Sequence, residues 1–170
     1  MTISVRPASA PDVPLIHLFV RDLAAFEKEP DAVEASEAML HEALFGASPA
    51  AEALIAERPG AGGEPEPIGF ALFYPTFSTW TGRRGLWLED LYVTPEARGS
   101  GAGAALLKAL AATALDRGCA RVEWAVLDWN TPAIDFYRAK GAVPLDEWTV
   151  QRVTGEALLA LAGRGHPSPE

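Results

Sequence analysis

Leu86-Trp87-Leu88-Glu89-Asp90-Leu91-Tyr92-Val93-Thr94-Pro95-Glu96-Ala97-Arg98-Gly99-Ser100-Gly101-Ala102-Gly103 is the stretch on which the fold turns. Up to Val93 it is apolar and β-prone, and Thr94-Pro95 closes it, so a strand is expected. Beyond Gly103, the residues Leu106, Leu107, Leu110, Ala111, Ala114 and Leu115 recur at the spacing of one helix face. Asp116-Arg117-Gly118 ends that helix, with glycine where positive φ is wanted. The glycines therefore open a helix directly after a strand. Lacking Cβ atoms, they let a ligand approach the main chain, and the free N–H groups at the positive helix end favour an anion. A phosphate-bearing cofactor is the expected ligand.

Three cofactor readings compete for these glycines. A P-loop needs a Gly-Lys-Ser/Thr ending, and Gly103 is followed by Ala104. Gly99-x-Gly101-x-x-Ala104 fits a relaxed dinucleotide fingerprint, with Glu123 at about the right distance of ~20 residues. Its context is wrong: several elements precede it, and Pro95 to Arg98 separate strand from glycines where a tight turn is required. The third reading takes Arg98-x-x-Gly101-x-Gly103, an arginine followed by a nest of backbone N–H groups that can clamp a pyrophosphate.

Composition sets the bounds. The 170 residues are 49% apolar and 22% charged, as expected of one globular domain (1–162) with a frayed tail (163–170). A net charge of −9 argues against nucleic acid and suits a cationic small substrate, or serves solubility alone. The single Cys119 forms no internal disulfide and fits a reducing cytoplasm; it reads as a buried small side chain at the start of a strand. No apolar run is long enough for a membrane span, and no leader pattern is seen. His17, His41 and His166 lack metal-ligand spacing, so no metal is expected.

Along the chain, strands are expected at Ile3–Arg6, Ala53–Glu57, Ile68–Thr76, Leu86–Val93, Arg121–Leu127 and Trp148–Val153. Helices are expected from Ser9 (as N-cap, with Asp12 at the third position) to about Glu27, then at Ser36–Phe45, after the glycine nest, at Thr131–Lys140 and at Gly155–Ala162. Pro59–Pro65 reads as a mobile turn and Thr81–Gly85, with Arg83 and Arg84, as a solvated one.

The order β-α-α-β-β-β-α-β-α-β, together with Arg98-x-x-Gly101-x-Gly103, resembles the GNAT N-acetyltransferase superfamily over nearly all the chain. Four stretches are most similar to its diamine acetyltransferases of the spermidine/spermine and thialysine types. They are Leu23–Pro30; Gly69–Tyr74 leading to Phe77–Gly82; Leu86–Val93 before the nest; and Asp128-Trp129-Asn130-Thr131-Pro132-Ala133 running to Phe136–Ala142. The resemblance implies an α/β (α+β) acyl-CoA N-acyltransferase fold, a mixed twisted sheet flanked by helices that splays where acetyl-CoA enters. It also implies a homodimer. Two departures bear on the amine: the segment after Ala142 is short, and Pro59–Pro67 is rich in glycine and proline.

Acetyl transfer to an amine requires removal of a proton from an ammonium of pKa ~10.4, fixed donors for a developing oxyanion, and an acid for the departing thiolate. Glu89 and Asp90 adjoin in an apolar strand, so they are expected on opposite faces, and a strand carboxylate must justify its burial. By resemblance Glu89 faces the cleft and takes the amine proton, although a salt-bridged strand carboxylate would have the same sequence. Asp90 either anchors neighbouring structure or contacts substrate. Tyr137 resembles the family's general acid, and a core tyrosine beside Phe136 is the plain alternative. Asn130 is a helix N-cap and, by resemblance, a cofactor ligand.

The resemblance also gives Leu91, Tyr92 and Val93 backbone contacts to the pantetheine arm, freed by a bulge that sequence does not show. It gives Arg98, Gly99, Ser100, Gly101, Ala102, Gly103 and Ala104 the pyrophosphate. Asp22, Glu27, Glu29, Asp31, Glu34, Glu37 and Glu42 face only Lys28, an acidic rim suited to a dication or two solvated helix faces; Glu27 and Glu29 are the best candidates. Trp80 either walls a cation or covers the core. The expected activity is direct transfer from acetyl-CoA to a small di- or polyamine or a lysine analogue. The alternatives are acetylation of a protein or antibiotic amine, or a CoA-binding module without turnover.

Overall fold

Unbroken apolar runs such as Ala53-Leu54-Ile55-Ala56 demand a sheet covered on both faces. The computed structural model, which describes residues 2–164, contains one. Strands β1 (Ser4–Pro7), β2 (Glu52–Pro59), β3 (Pro65–Ser78), β4 (Arg83–Val93) and β5 (Val122–Glu123) lie side by side in that order. All pairs are antiparallel except β4–β5, whose parallel pairing needs the crossover supplied by helix α3 (Ala102–Asp116).

Helices α1 (Val13–Phe26) and α2 (Glu37–Phe45) cover one face, where Ile16, Phe19 and Leu44 pack with Ile55, Phe70 and Tyr92. On the other face Leu106, Leu110 and Ala114 of α3 pack with Leu54, Ala71, Phe73, Leu86 and Leu88. Cys119 is buried in this second cluster, just ahead of β5, as its sequence context suggested. The entry to α1 is pinned electrostatically. Both Arg6 Nη groups donate to Asp12 (2.7 and 2.8 Å) and its Nε donates to Glu57 on β2 (2.8 Å). Ser9 N–H and Oγ also donate to Asp12, so the Arg6 guanidinium, aided by Ser9, holds this carboxyl far below the usual range. Gly69 is glycine because a Cβ there would collide with the Tyr92 carbonyl across the ladder.

The chain divides into two units, Met1–Ala125 and Val126–Glu170. The second contains α4 (Thr131–Arg138) and α5 (Gly155–Leu161). Among the described residues no helix is long and apolar enough to cross a membrane.

Four expectations change. The strand expected at Arg121–Leu127 is paired only at Val122 and Glu123. Pairing stops opposite Trp87, next to an irregularity that bends β4. The strand expected at Trp148–Val153 does not form, and Trp148 and Val150 are exposed. Alternation gives a segment a strand's faces, but only a neighbouring edge gives it a ladder, and a two-residue β5 offers almost none. Arg83 and Arg84 belong to β4, paired with Ser78 and Phe77, because the β3–β4 ladder runs past Gly85 to the turn at 79–82. The segment read as a mobile turn closes a hairpin through Gly60 N–H to Glu64 O (2.9 Å). Of the expected tail, 165–170 lies outside the described residues.

Candidate active site

In β4, Asp90 pairs with Leu72 and Leu88 with Phe73, so Glu89 has no partner across the ladder: it is the extra residue of a β-bulge. The consequence is visible in which core each side chain meets. Leu86 and Leu88 pack into the α3-side cluster, whereas Tyr92 packs into the α1-side cluster, with Leu91 and Val93 again against α3. Alternation counted from either end places Trp87, Glu89, Asp90 and Tyr92 all on the α1 side. Adjacent carboxylates expected on opposite faces thus share one, because the bulge cancels one step of the alternation.

Glu89 is exposed and oriented. Trp87 Nε1 donates to its Oε2 at 2.9 Å, and Tyr74 Oη, from the neighbouring strand, donates to the same oxygen at 3.3 Å. Asp90 is half-buried, and that burial, with the charges of Glu89 and Glu27, pushes its pKa up to about 6. Glu27, which caps α1, is itself raised by burial. The Tyr74 phenol is raised by burial and then by Glu89. Tyr92 is buried against Phe19 (centroids 5.5 Å apart), and its hydroxyl donates to Asp22 at 3.4 Å. Asp90, raised by burial and by its acidic neighbours, and Glu27, raised by burial, make a place where either a proton or a cation is welcome.

Beyond Trp87 no strand pairs with the β5 side of β4 among the described residues, which leaves the main chain of Leu91, Tyr92 and Val93 at an open edge. The glycine segment follows. Gly99 (φ 78°) and Gly101 (φ 92°) are left-handed, and Gly101 is the N-cap of α3. Ala102 is buried and its N–H reaches Ser100 Oγ at 3.4 Å; Gly103 and Ala104 form the first turn, whose N–H groups lack intrahelical acceptors. An open strand edge leading to a left-handed nest on a helix N-terminus fits an extended thioester arm ending in a pyrophosphate. Arg98 stands at the start of the nest, its Nε donating to Val93 O at 3.3 Å and its guanidinium 4.8 Å from the centroid of the Phe26 ring.

In the second unit Asn130 is the N-cap of α4, its Oδ1 accepting from Ala133 N–H at 3.3 Å. Tyr137 is half-buried on the same helix, its ring 5.4 Å from that of Phe136.

The structure brings Glu27, Glu89 and Asp90 together but not every sequence candidate. Glu29 is exposed past the end of α1. Trp80, 88% exposed in the hairpin turn, does not cover the core, and it lies about 20 Å along β4 from Glu89 at a strand's rise. Three participants went unnoticed in sequence: Trp87, Tyr74 and Phe26. Trp87 was findable, two residues before Glu89 on one face; Tyr74 required the register. No group of three His, Cys, Asp or Glu side chains that could hold a metal occurs among the described residues.

Comparison with known proteins identifies the family. The Acetyltransferase (GNAT) family model matches residues 16–142. The chain is 43% identical over 168 residues to a thialysine N-epsilon-acetyltransferase of Bos taurus, covering 95% of this chain and 98% of that protein. It is 37% identical to spermidine/spermine N(1)-acetyltransferase-like protein 1 of Homo sapiens, covering 93% of this chain but 23% of that longer protein. Among solved structures, the V. cholerae integron cassette protein VCH_CASS6 superposes with a TM-score of 0.75 at 26% identity, over 95% of this chain and 98% of that one. The chain belongs to the GNAT acetyltransferase family and is an acetyl-CoA-dependent N-acetyltransferase.

Proposed function

We propose that the protein acetylates a primary amine of a small di- or polyamine, or of a lysine analogue such as thialysine. The observation that carries this reading is the bulge, which puts Glu89 and Asp90 on one face of β4, where Glu27 at the end of α1 acts on Asp90. A carboxyl raised by burial and by its acidic neighbours, as Asp90 is, favours a cation beside it, and a dication supplies both the reacting nitrogen and an anchor.

Acetyl-CoA supplies the activated carbonyl. Glu89, oriented by Trp87 and Tyr74, takes the ammonium proton directly or through water, while Asp90 and Glu27 hold cationic charge beside it. The amine then forms its bond to the carbonyl carbon as the carbon–sulfur bond breaks, and Tyr137 gives its proton to the sulfur. Main-chain groups of Leu91, Tyr92 and Val93, the nest from Arg98 to Ala104, and Asn130 hold the cosubstrate. Transfer is direct, since Cys119 is buried against α3 and offers no accessible nucleophile. Within this proposal 1–162 act as one domain, the protein is a homodimer, and a reducing cytoplasm is its compartment.

The test is thiol release from acetyl-CoA with putrescine, spermidine, spermine, thialysine, lysine, an aminoglycoside and a lysine peptide. Preference for a small diamine or thialysine is expected. Turnover with peptide or aminoglycoside alone would overturn the substrate assignment. Tyr137→Phe is expected to lower turnover about a hundredfold while CoA still binds.

A further inference from the structure

Arg98 is held by its stem and left open at its fork. Its Nε donates to the Val93 carbonyl at 3.3 Å, and its guanidinium lies 4.8 Å from the centroid of the Phe26 ring. Neither Nη nitrogen makes a hydrogen bond among the described residues, and no carboxylate lies within ion-pair distance, although Asp22 and Glu96 line the same groove of about 540 Å³. An arginine in an acid-rich neighbourhood that forms no ion pair keeps its two outer donors for something else. Those donors match a phosphate in pairs.

Phe26 is the other half of the arrangement. It ends α1, is 39% exposed and joins neither core cluster. Its position is fixed by the turn that follows, in which Glu27 N–H reaches Leu23 O (2.9 Å) and Glu29 N–H reaches Ala24 O (2.9 Å) around left-handed Lys28 (φ 67°). We propose that Phe26 is a positioning residue for Arg98, its ring holding the guanidinium beside the glycine nest so that both Nη groups meet a cosubstrate phosphate. Restricting the side chain before binding lowers the ordering cost at the moment of binding. The proposal rests on the reading of the nest as an acetyl-CoA site.

Titration with CoA and with pantetheine, which lacks the phosphates, separates this role from a general structural one. Phe26→Leu is expected to weaken CoA about two- to fivefold while pantetheine affinity stays the same, and Phe26→Tyr, which keeps the ring, restores CoA binding. Equal weakening of both ligands, or CoA affinity in Phe26→Leu that is unchanged or tighter, would overturn the proposal while leaving the cosubstrate site intact. A wild-type protein that binds no CoA would instead remove the cosubstrate reading, and this inference with it.

Discussion

The bulge of β4 and the nest that follows it make sites of opposite preference from opposite materials. The nest is backbone: left-handed glycines and the unpaired N–H groups of α3, selective for an anion through geometry. The bulge is side chain: Glu89 and Asp90 brought to one face by a single unpaired residue, with Glu27 opposite, selective for a proton or a cation through charge. Three residues of strand, Leu91 to Val93, lie between Asp90 and Thr94 at about 3.3 Å each, so in the proposed reading one strand delivers both partners of a transfer reaction. The first site should respond to an added Cβ and ignore pH; the second should respond to isosteric charge removal and to pH.

Glu89→Gln should have the largest effect, lowering kcat about a hundredfold or more in steady-state assays with CoA affinity unchanged, since the nest is untouched. Asp90→Asn should separate function from stability. Its carboxyl is raised from 3.8 to about 6, so the fold favours the neutral form. The stability lost by ionising it accrues as pH rises from about 4 to 6 and is complete above, up to about 3 kcal/mol. The variant should therefore be more stable than wild type at pH 8 and equal to it near pH 3.5, as read from denaturant unfolding.

Smaller effects test the backbone side. A Cβ on Gly101 would meet nothing within 4 Å, so Gly101→Ala is penalised by its positive φ alone. It should cost about 1–2 kcal/mol in thermal or chemical unfolding and raise the KM for acetyl-CoA several-fold, leaving the amine KM in place. The smallest effect belongs to Lys28, a non-glycine residue at φ 67° beside the carboxylates. Lys28→Gly should stabilise by about 0.5 kcal/mol in chemical denaturation.

These two sites also differ in how far they could be read before the structure. Gly99 and Gly101 announce the nest because their residue type tolerates the left-handed conformation, a local property. The bulge depends on the register between β3 and β4, which belongs to two strands at once, so Glu89 and Asp90 were recognisable as unusual but their shared face was not. Tyr74 was invisible for the same reason. Trp148–Val153 shows the reverse failure, a strand-like pattern left without a ladder because β5 pairs over two residues only. Asn130, by contrast, caps α4 as its place before Thr131-Pro132 suggested.

The most direct measurement is kcat/KM for the preferred small amine between pH 5 and 9, in wild type and in Asp90→Asn. Wild type should show an acidic limb near pH 6, falling as Asp90 takes up a proton and stops attracting the ammonium, and the variant should lose that limb. The same limb in both proteins, or no turnover with any small cationic amine, would contradict the account.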